Sequence, residues 1–445
     1  CISASCAPSF THDLIVAICS LVSILVLNIV ACSLNARLTV MQAQWYVFWV
    51  LFFGVGLKQK NDYRKIVTDA QPTLPVSPPR TWAEINLSNL RHNYTAVINQ
   101  HQGCVLAVLK AGGYGHGIVE MAAELEKINS NSAPTFMGVA SVIEARQLAN
   151  AGINTRIYLL GPACPSERKE IVARDWTPCV SSLEEAEDFN RIAAARIGIN
   201  PNTKLRIHLA VDTGMGRGGF LAESLVENFD ALEKLDFLEL EGIGSHLPSA
   251  DEDEVFTHSQ FEIFDSLIES LGIERFRFRH LANSAGLMNY QSRTTNLCRP
   301  GLMLYGISPL AQFQSILKPV MSLKSRVSLV RDLPAGHGIS YGRDTVLEKD
   351  TRVATVGIGY GDGYPREIST QHAKVWIKQQ KCSLLGRVTM DQIMVDVSNL
   401  PDCVSGDEVE LFGENILVSE VAQKANTIPW AVLSGITPRV TRVYI

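Results

Sequence analysis

The sequence predicts an α/β fold, a (β/α)8 TIM-type barrel followed by a mostly β C-terminal domain, with a hydrophobic segment ahead of both. Three observations carry that reading. Short β-rich runs alternate with helically spaced apolar patterns from about residue 104 to residue 304. The helical rhythm fades from about residue 318, and the first 60 residues have a texture of their own.

That N-terminal segment, residues 1–70, comes first in the chain. Residues 14–34, "LIVAICSLVSILVLNIVACSL", are uncharged and long enough to span a bilayer. A second run at 45–57, "WYVFWVLFFGVGL", is short for a span. Arg37 is the one charge between them, whereas Lys58, Lys60, Arg64 and Lys65 come after. The positive-inside rule then places the chain beyond residue 58 in the cytoplasm, with residues 14–57 as an anchor on the inner face of the membrane. Two blander readings compete: translated upstream sequence with the start at Met41, and a signal peptide, although the basic cluster lies on the wrong side of the apolar core for one. "QPTLPVSPPR", residues 71–80, is a proline-rich linker expected to be extended.

The barrel is assigned to 81–317. Its strands are expected at "CVLAVLK" (104–110), "TFMGVAS" (135–141), "RIYLLGP" (156–162), "TPCVS" (177–181), "KLRIHLAV" (204–211), "LELEGIGSHL" (238–247), "FRFRHLANS" (276–284) and "NLCRPGLML" (296–304). Between them, stretches such as "IVEMAAELEK" and "FEIFDSLIES" space apolar residues for helices. A doubly wound open sheet is the alternative arrangement of the same units. Residues 318–445 form the β domain, from runs such as "KSRVSLVRDL", "TRVATVGIGY", "KVWIKQQ", "DQIMVDV" and "DEVELFG", with one short helix near "LVSEVAQKA".

Composition excludes some functions. A net charge of −5 with no basic stripe argues against nucleic acid as a partner. The ten cysteines form no CxxC or Cys/His cluster, which reads as free thiols in a reducing compartment and no metal site.

A barrel keeps its chemistry where strands end. Lys110 ends the first strand, Arg217 comes after the fifth in "VDTGMGRGGF", and His246 ends the sixth in "GIGSHLPSA". Asn283 and Ser284 end the seventh, and Arg299 and Gly301 lie in the eighth. Taken singly each has a bland reading. A lone lysine is ordinarily solvated, His246 and His280 read as satisfied core histidines, and the glycines of "GMGRGG" serve a turn. That string also fits a dinucleotide GxGxxG, a weak signal within a fifth β/α unit. Burial at a strand end changes the lysine, because desolvation favours the neutral amine that forms imines.

In order along the chain, "RTWAEINLSNLRHNY", "LKAGGYGHG", "VDTGMGR", "SHLPSADE", "HLANSAG", "RPGLMLYGISP", "LKPVMSLKSRV", "ISYGRDT", "GYGDGYPR" and "GRVTMDQIMVDV" resemble the motifs of the alanine racemase family. The resemblance covers residues 80 to 445, over four fifths of the chain. It implies a pyridoxal 5'-phosphate enzyme that interconverts L- and D-alanine, supplying D-alanine for peptidoglycan, as a homodimer with an active site shared between subunits. Lys110 would bind the cofactor covalently and move the α-proton on one face. Tyr341, from the partner subunit, would be the second base on the other. His246, linked to a cation such as Arg299, would stabilise the phenolate of Tyr341. Arg299 would face the pyridine nitrogen, and Tyr114, Ser284, Gly301 and Leu302 would hold the phosphate. Arg217, Met390 and Asp391 would contact the substrate, the last two from the other subunit, and Tyr360 would narrow the entrance.

The chain departs from the family pattern in three places. Ala210 stands where many members have a lysine whose negative carbamate holds the arginine equivalent to Arg217. Pro438 stands where some members have a phosphate-binding tyrosine. "KAGGYGHG" replaces the commoner "KANAYGHG", at an expected cost in backbone entropy. The alternatives are a membrane-attached serine racemase, a decarboxylase of the same architecture, a non-racemising cofactor-binding barrel and, last, a dinucleotide enzyme.

Overall fold

The computed structural model describes residues 78–445 apart from 102, 129–131, 196–203 and 370. The two apolar runs at 14–34 and 45–57, Met41 and the linker up to residue 77 lie outside the described residues. Among the described residues, no helix is long and apolar enough to cross a membrane.

The chain begins with β1 (Thr81–Ile85), a helix Leu87–Gln100 and β2 (Cys104–Val108). From there the barrel continues: β3 (Phe136–Val139), β4 (Arg156–Leu159), β5 (Thr177–Val180), β6 (Leu205–Asp212), the short β7 (Phe220–Leu221), β8 (Leu238–Gly244), β9 (Phe278–His280) and β10 (Leu297–Cys298). Each of the eight runs expected to be barrel strands overlaps one of these, with β6 running one residue past its expected end. Helices cover their outer faces, so β3 and β5 are buried along their whole length. Side-chain caps start those helices: Ser141 accepts from Glu144 N–H, Ser182 from Glu185 N–H and Asp253 from Phe256 N–H.

The strand order is β10-β2-β3-β4-β5-β6-β8-β9, with parallel pairings throughout. Two backbone bonds close the ring between its ends: Asn296 N–H donates to the Arg279 carbonyl and Arg299 N–H to that of Ala282, each at 2.9 Å. Closure rules out the open doubly wound sheet. It also leaves "GMGRGG" in a loop after β6, with no separate dinucleotide-binding half around it.

The second sheet is built on β11 (Met321–Leu333), which pairs with Glu408–Phe412 in its first part and with Thr351–Val356 after a register shift near Val327. One assignment changes in space. The sequence reading begins the barrel at residue 81, yet β1 lies between β11 and the C-terminal strand Thr441–Tyr444 of the second sheet. The chain thus enters through the β domain before it starts the barrel. Besides the helix Val418–Lys424, a second helix, Pro429–Gly435, was not expected from the sequence.

Candidate active site at the barrel mouth

Lys110 opens the turn after β2. Ala111, Gly112 and Gly113 have φ/ψ of 54/47, 63/36 and 65/44, and Tyr114 has φ 51. The segment is therefore a left-handed turn, closed by Gly113 N–H to the Leu109 carbonyl (2.8 Å) and Gly115 N–H to that of Ala111 (2.9 Å). Such backbone costs about 1–2 kcal/mol for each residue bearing a Cβ. Glycine at 112 and 113 avoids that strain, which offsets the entropic cost expected of the pair. The β domain pins the turn from below. Arg442 Nε donates to the Gly115 carbonyl and Tyr444 Oη to that of His116, each at 3.1 Å.

A cavity of about 640 Å³ opens above this turn, within the ordinary range for a small-molecule site. Lys110, Tyr114, Arg217, His246, Asn283, Ser284, Arg299, Gly301 and Leu302 all line it, so every barrel residue marked by position or resemblance comes together there. Asp212 places Arg217: its carboxylate accepts from the N–H groups of Gly214, Met215 and Gly216 at 2.8–3.1 Å, shaping the loop that carries the arginine. Ser284 Oγ accepts from the N–H groups of Gly301 (3.0 Å) and Met303 (3.3 Å). A Cβ at Gly301 would lie 2.8 Å from Tyr114 Oη, so the glycine keeps backbone open beside that hydroxyl.

The electrostatics favour anions. Burial, then the neighbouring Arg217, pushes the Lys110 amine below its usual range, with Glu144 opposing. Burial and the cations Arg299, Arg217 and Lys110 push His246 down to about 3, so it is neutral at any working pH. Burial pushes the Tyr114 phenol up to about 12, keeping it a donor. Arg299 is 7% exposed and has no carboxylate partner among the described residues. It contacts the carbonyls of Ser245 and Leu281 and the Nδ1 atoms of His246 and His280. Ala210 lines the cavity, and Arg217 has neither ion pair nor hydrogen-bond partner among the described residues.

The four site residues expected from the β domain do not line this cavity. Tyr341, Tyr360 and Met390 are 71%, 40% and 51% exposed. They occupy adjoining loops. Tyr360 and Gly361 N–H donate to the carbonyls of Thr389 and Met390 (3.0 and 2.9 Å), and Ser340 Oγ donates to the Arg387 carbonyl (2.7 Å). Asp391 is paired with Arg439 at 2.7 Å. Pro438 is exposed and also away from the cavity.

The cavity fits a flat phosphorylated aldehyde. It offers an amine inclined to neutrality at one point, two guanidinium groups, Arg217 and Arg299, for negative groups, and hydroxyls beside a bare glycine backbone. Sequence reasoning missed Tyr158 and Cys179 on its floor, which lie at inward positions of β4 and β5. It also missed Ile428, Trp430 and Ser434 at its rim, from the unforeseen second helix and the residue just before it. Alternation along the predicted strands could have flagged the first two; the rim carries no local signal.

Comparisons with known proteins agree with this geometry. The family profile described as alanine racemase, N-terminal domain, matches residues 85–309, and that of the C-terminal domain matches 320–444. The alanine racemase of Halothermothrix orenii is 36% identical over 375 residues, 82% of this chain and 96% of its own length. That of Geobacter sp. (strain M21) is 38% identical over 393 residues, 85% of this chain and 100% of its own. Among solved structures, alanine racemase from Clostridium difficile 630 superposes with a TM-score of 0.76 at 35% identity, covering 83% of this chain and 97% of that one. One from a D-cycloserine-producing Streptomyces lavendulae gives 0.75 at 31%, over 83% and 98%.

Proposed function

The chain belongs to the alanine racemase family of pyridoxal-phosphate enzymes, and we propose that it interconverts L- and D-alanine with Lys110 on one face of the substrate and the partner subunit's Tyr341 on the other. The carrying observation is Lys110 itself, a half-buried amine held toward neutrality in a cavity that also presents the guanidinium groups of Arg217 and Arg299. Pyridoxal phosphate, when bound, supplies an aldehyde for amine condensation and an electron-withdrawing ring that acidifies the substrate's α-hydrogen.

The chain's own residues supply the rest. Lys110 Nζ takes or delivers the α-proton on its face. Tyr114, Ser284 and the backbone at Gly301 and Leu302 hold the phosphate, and Arg217 holds the substrate carboxylate. Arg299 is donor-only, so it cannot take a proton from the pyridine nitrogen, which favours racemisation over side reactions. Because a guanidinium occupies His246 Nδ1, the neutral ring carries its proton on Nε2 and can donate it to a phenolate.

The other base comes from a second copy. Tyr341, Tyr360 and Met390 are large apolar side chains left exposed on adjoining loops, available for a second copy to cover. Tyr360 would narrow the entrance, and Met390 and Asp391 would reach the substrate. A mixing experiment tests the arrangement. Lys110→Ala and Tyr341→Phe chains should each keep about a hundredth of parental activity or less alone, but a hybrid dimer holds one intact site. Co-refolding equal amounts should restore about a quarter of parental activity, since half the dimers are hybrids with one site of two. A mixture no more active than the two variants alone would sink the shared site.

The same reading gives D-alanine a destination in peptidoglycan and puts the catalytic part in the cytoplasm. Residues 14–57 would be an inner-face anchor. That last part rests on the apolar runs and is tested by whether racemase activity sediments with native membranes.

A further inference from the structure

Arg299 is joined to the far end of the barrel by a line of buried side chains that proton transfer does not use. His280 Nδ1 contacts Arg299 Nη1, and His280 Nε2 lies 2.9 Å from His208 Nδ1. His208 Nε2 has no hydrogen-bond partner among the described residues and faces Glu241 Oε2 at 3.7 Å. Glu241 in turn accepts two bonds from Arg156, at 2.8 and 2.6 Å, at the start of β4. Both imidazoles and the Glu241 side chain are 2% exposed or less.

The backbone is built around this line. The pairing of β6 with β8 runs Ile207 to Leu240 and then His208 to Gly242, so Glu241 is the extra residue of a bulge. Bulges re-aim a side chain, and this one places Glu241 on the inside beside His208. Glycines then make room for the rings. A Cβ at Gly242 would lie 2.7 Å from the His208 ring, and one at Gly244 would lie 2.0 Å from His280 Cε1.

Proton positions are set from the two ends. A guanidinium only donates, so His280 Nδ1 must accept. Burial pushes both imidazoles below their usual range, so each is neutral with one proton. The His280 proton therefore sits on Nε2 and is donated to His208 Nδ1, which leaves the His208 proton on Nε2, facing a carboxylate. Burial alone would raise that carboxyl, but His208 and Arg156 hold it down to about 2, so it is charged.

We infer that Glu241 is a positioning residue for Arg299: through the bulge of β8 its carboxylate orders the protons of His208 and His280, so that His280 meets the guanidinium with a lone pair. This rests on the racemase reading only for its consequence, the orientation of Arg299 toward the cofactor. Glutamine at 241 can offer an amide N–H to His208 Nε2 and reverse the line. His280 would then present N–H to N–H at Arg299, and the guanidinium must turn away.

The test is neutron diffraction of the cofactor-loaded enzyme, as parent and as Glu241→Gln. The expected result is deuterium on Nε2 of both rings in the parent and on Nδ1 of both in the variant, with Arg299 displaced. Cofactor affinity should fall roughly tenfold in Glu241→Gln and return in Glu241→Asp, which keeps the carboxylate. Deuterium on Nδ1 of either ring in the parent overturns the inference even if the variant fails to fold. Unchanged proton positions in a folded Glu241→Gln overturn it as well. Failure of the parent to racemise alanine, with these proton positions in place, would instead count against the proposed function.

Discussion

At the barrel mouth Arg299 is 7% exposed and Ser284 4%, whereas in the β domain Tyr341 is 71% exposed and Met390 51%. Both regions carry residues assigned to the proposed reaction. The barrel encloses its polar groups, so desolvation shifts them: the Lys110 amine downward, His246 to about 3, the Tyr114 phenol to about 12. The β domain leaves these side chains in water. In the proposed arrangement one half of the site is finished within the chain and the other half becomes chemistry only when a second surface buries it, so the two halves should fail differently when altered.

The largest effects test that contrast directly. Lys110→Ala should lower racemisation roughly a thousandfold and Tyr341→Phe about a hundredfold. Alanine's enantiomers are equal in energy, so kcat/KM must fall equally in both directions for either variant. The difference appears in exchange of the α-hydrogen with solvent. With Tyr341→Phe, Lys110 still serves its own face, so one enantiomer should exchange in D2O while keeping its configuration, and the other should not. NMR of each enantiomer reads this. Exchange in both, or in neither, contradicts the assignment of one base to each face.

A smaller effect sharpens the account of the enclosed half. Burial and then Arg217 lower the Lys110 pKa. Removing that cation raises it, so less amine is neutral at a given pH. In Arg217→Gln, the rate at which cofactor-free protein condenses with pyridoxal phosphate should show a pH profile displaced to the alkaline side of the parent's. A profile that stays in place or moves to acid shows that Arg217 does not act on Lys110 through its charge.

The same contrast explains what the sequence disclosed. Parallel strands buried on both faces read as continuous apolar runs, so "CVLAVLK" and "RIYLLGP" were visible as strands, and their ends located Lys110 and the cavity. The partners of β1 were not visible, because Ser325 and Tyr444 lie hundreds of residues further on and five residues carry no record of them. Nor was the Glu241 bulge, since an extra residue exists only relative to the neighbouring strand. Tyr341, Tyr360, Met390 and Asp391 were identified through family resemblance alone. Nothing local distinguishes an aromatic awaiting a partner from any exposed side chain.

The smallest effects concern the loops that carry the two proposed bases, both of which use left-handed backbone. Gly112 has φ 63 and Gly342 has φ 78, while Ser340 and Arg343 flank Tyr341 at 63 and 52. The surroundings differ. A Cβ at Gly112 meets nothing within 4 Å, whereas one at Gly342 would lie 2.7 Å from Arg387 Cζ and 2.9 Å from Asp344 Oδ1. Those two side chains form an ion pair that ties the Tyr341 loop to the strand end before Met390. Gly112→Ala should therefore cost about 1 kcal/mol of stability from backbone strain, with kcat within about twofold of the parent. Gly342→Ala carries the same strain and must also part Arg387 from Asp344, so it should lose several times more activity than Gly112→Ala. Thermal unfolding and racemisation measured on both variants decide this. Similar losses of activity would mean that the exposed loop is not held in shape by its ion pair, and that docking against the second subunit alone orders it.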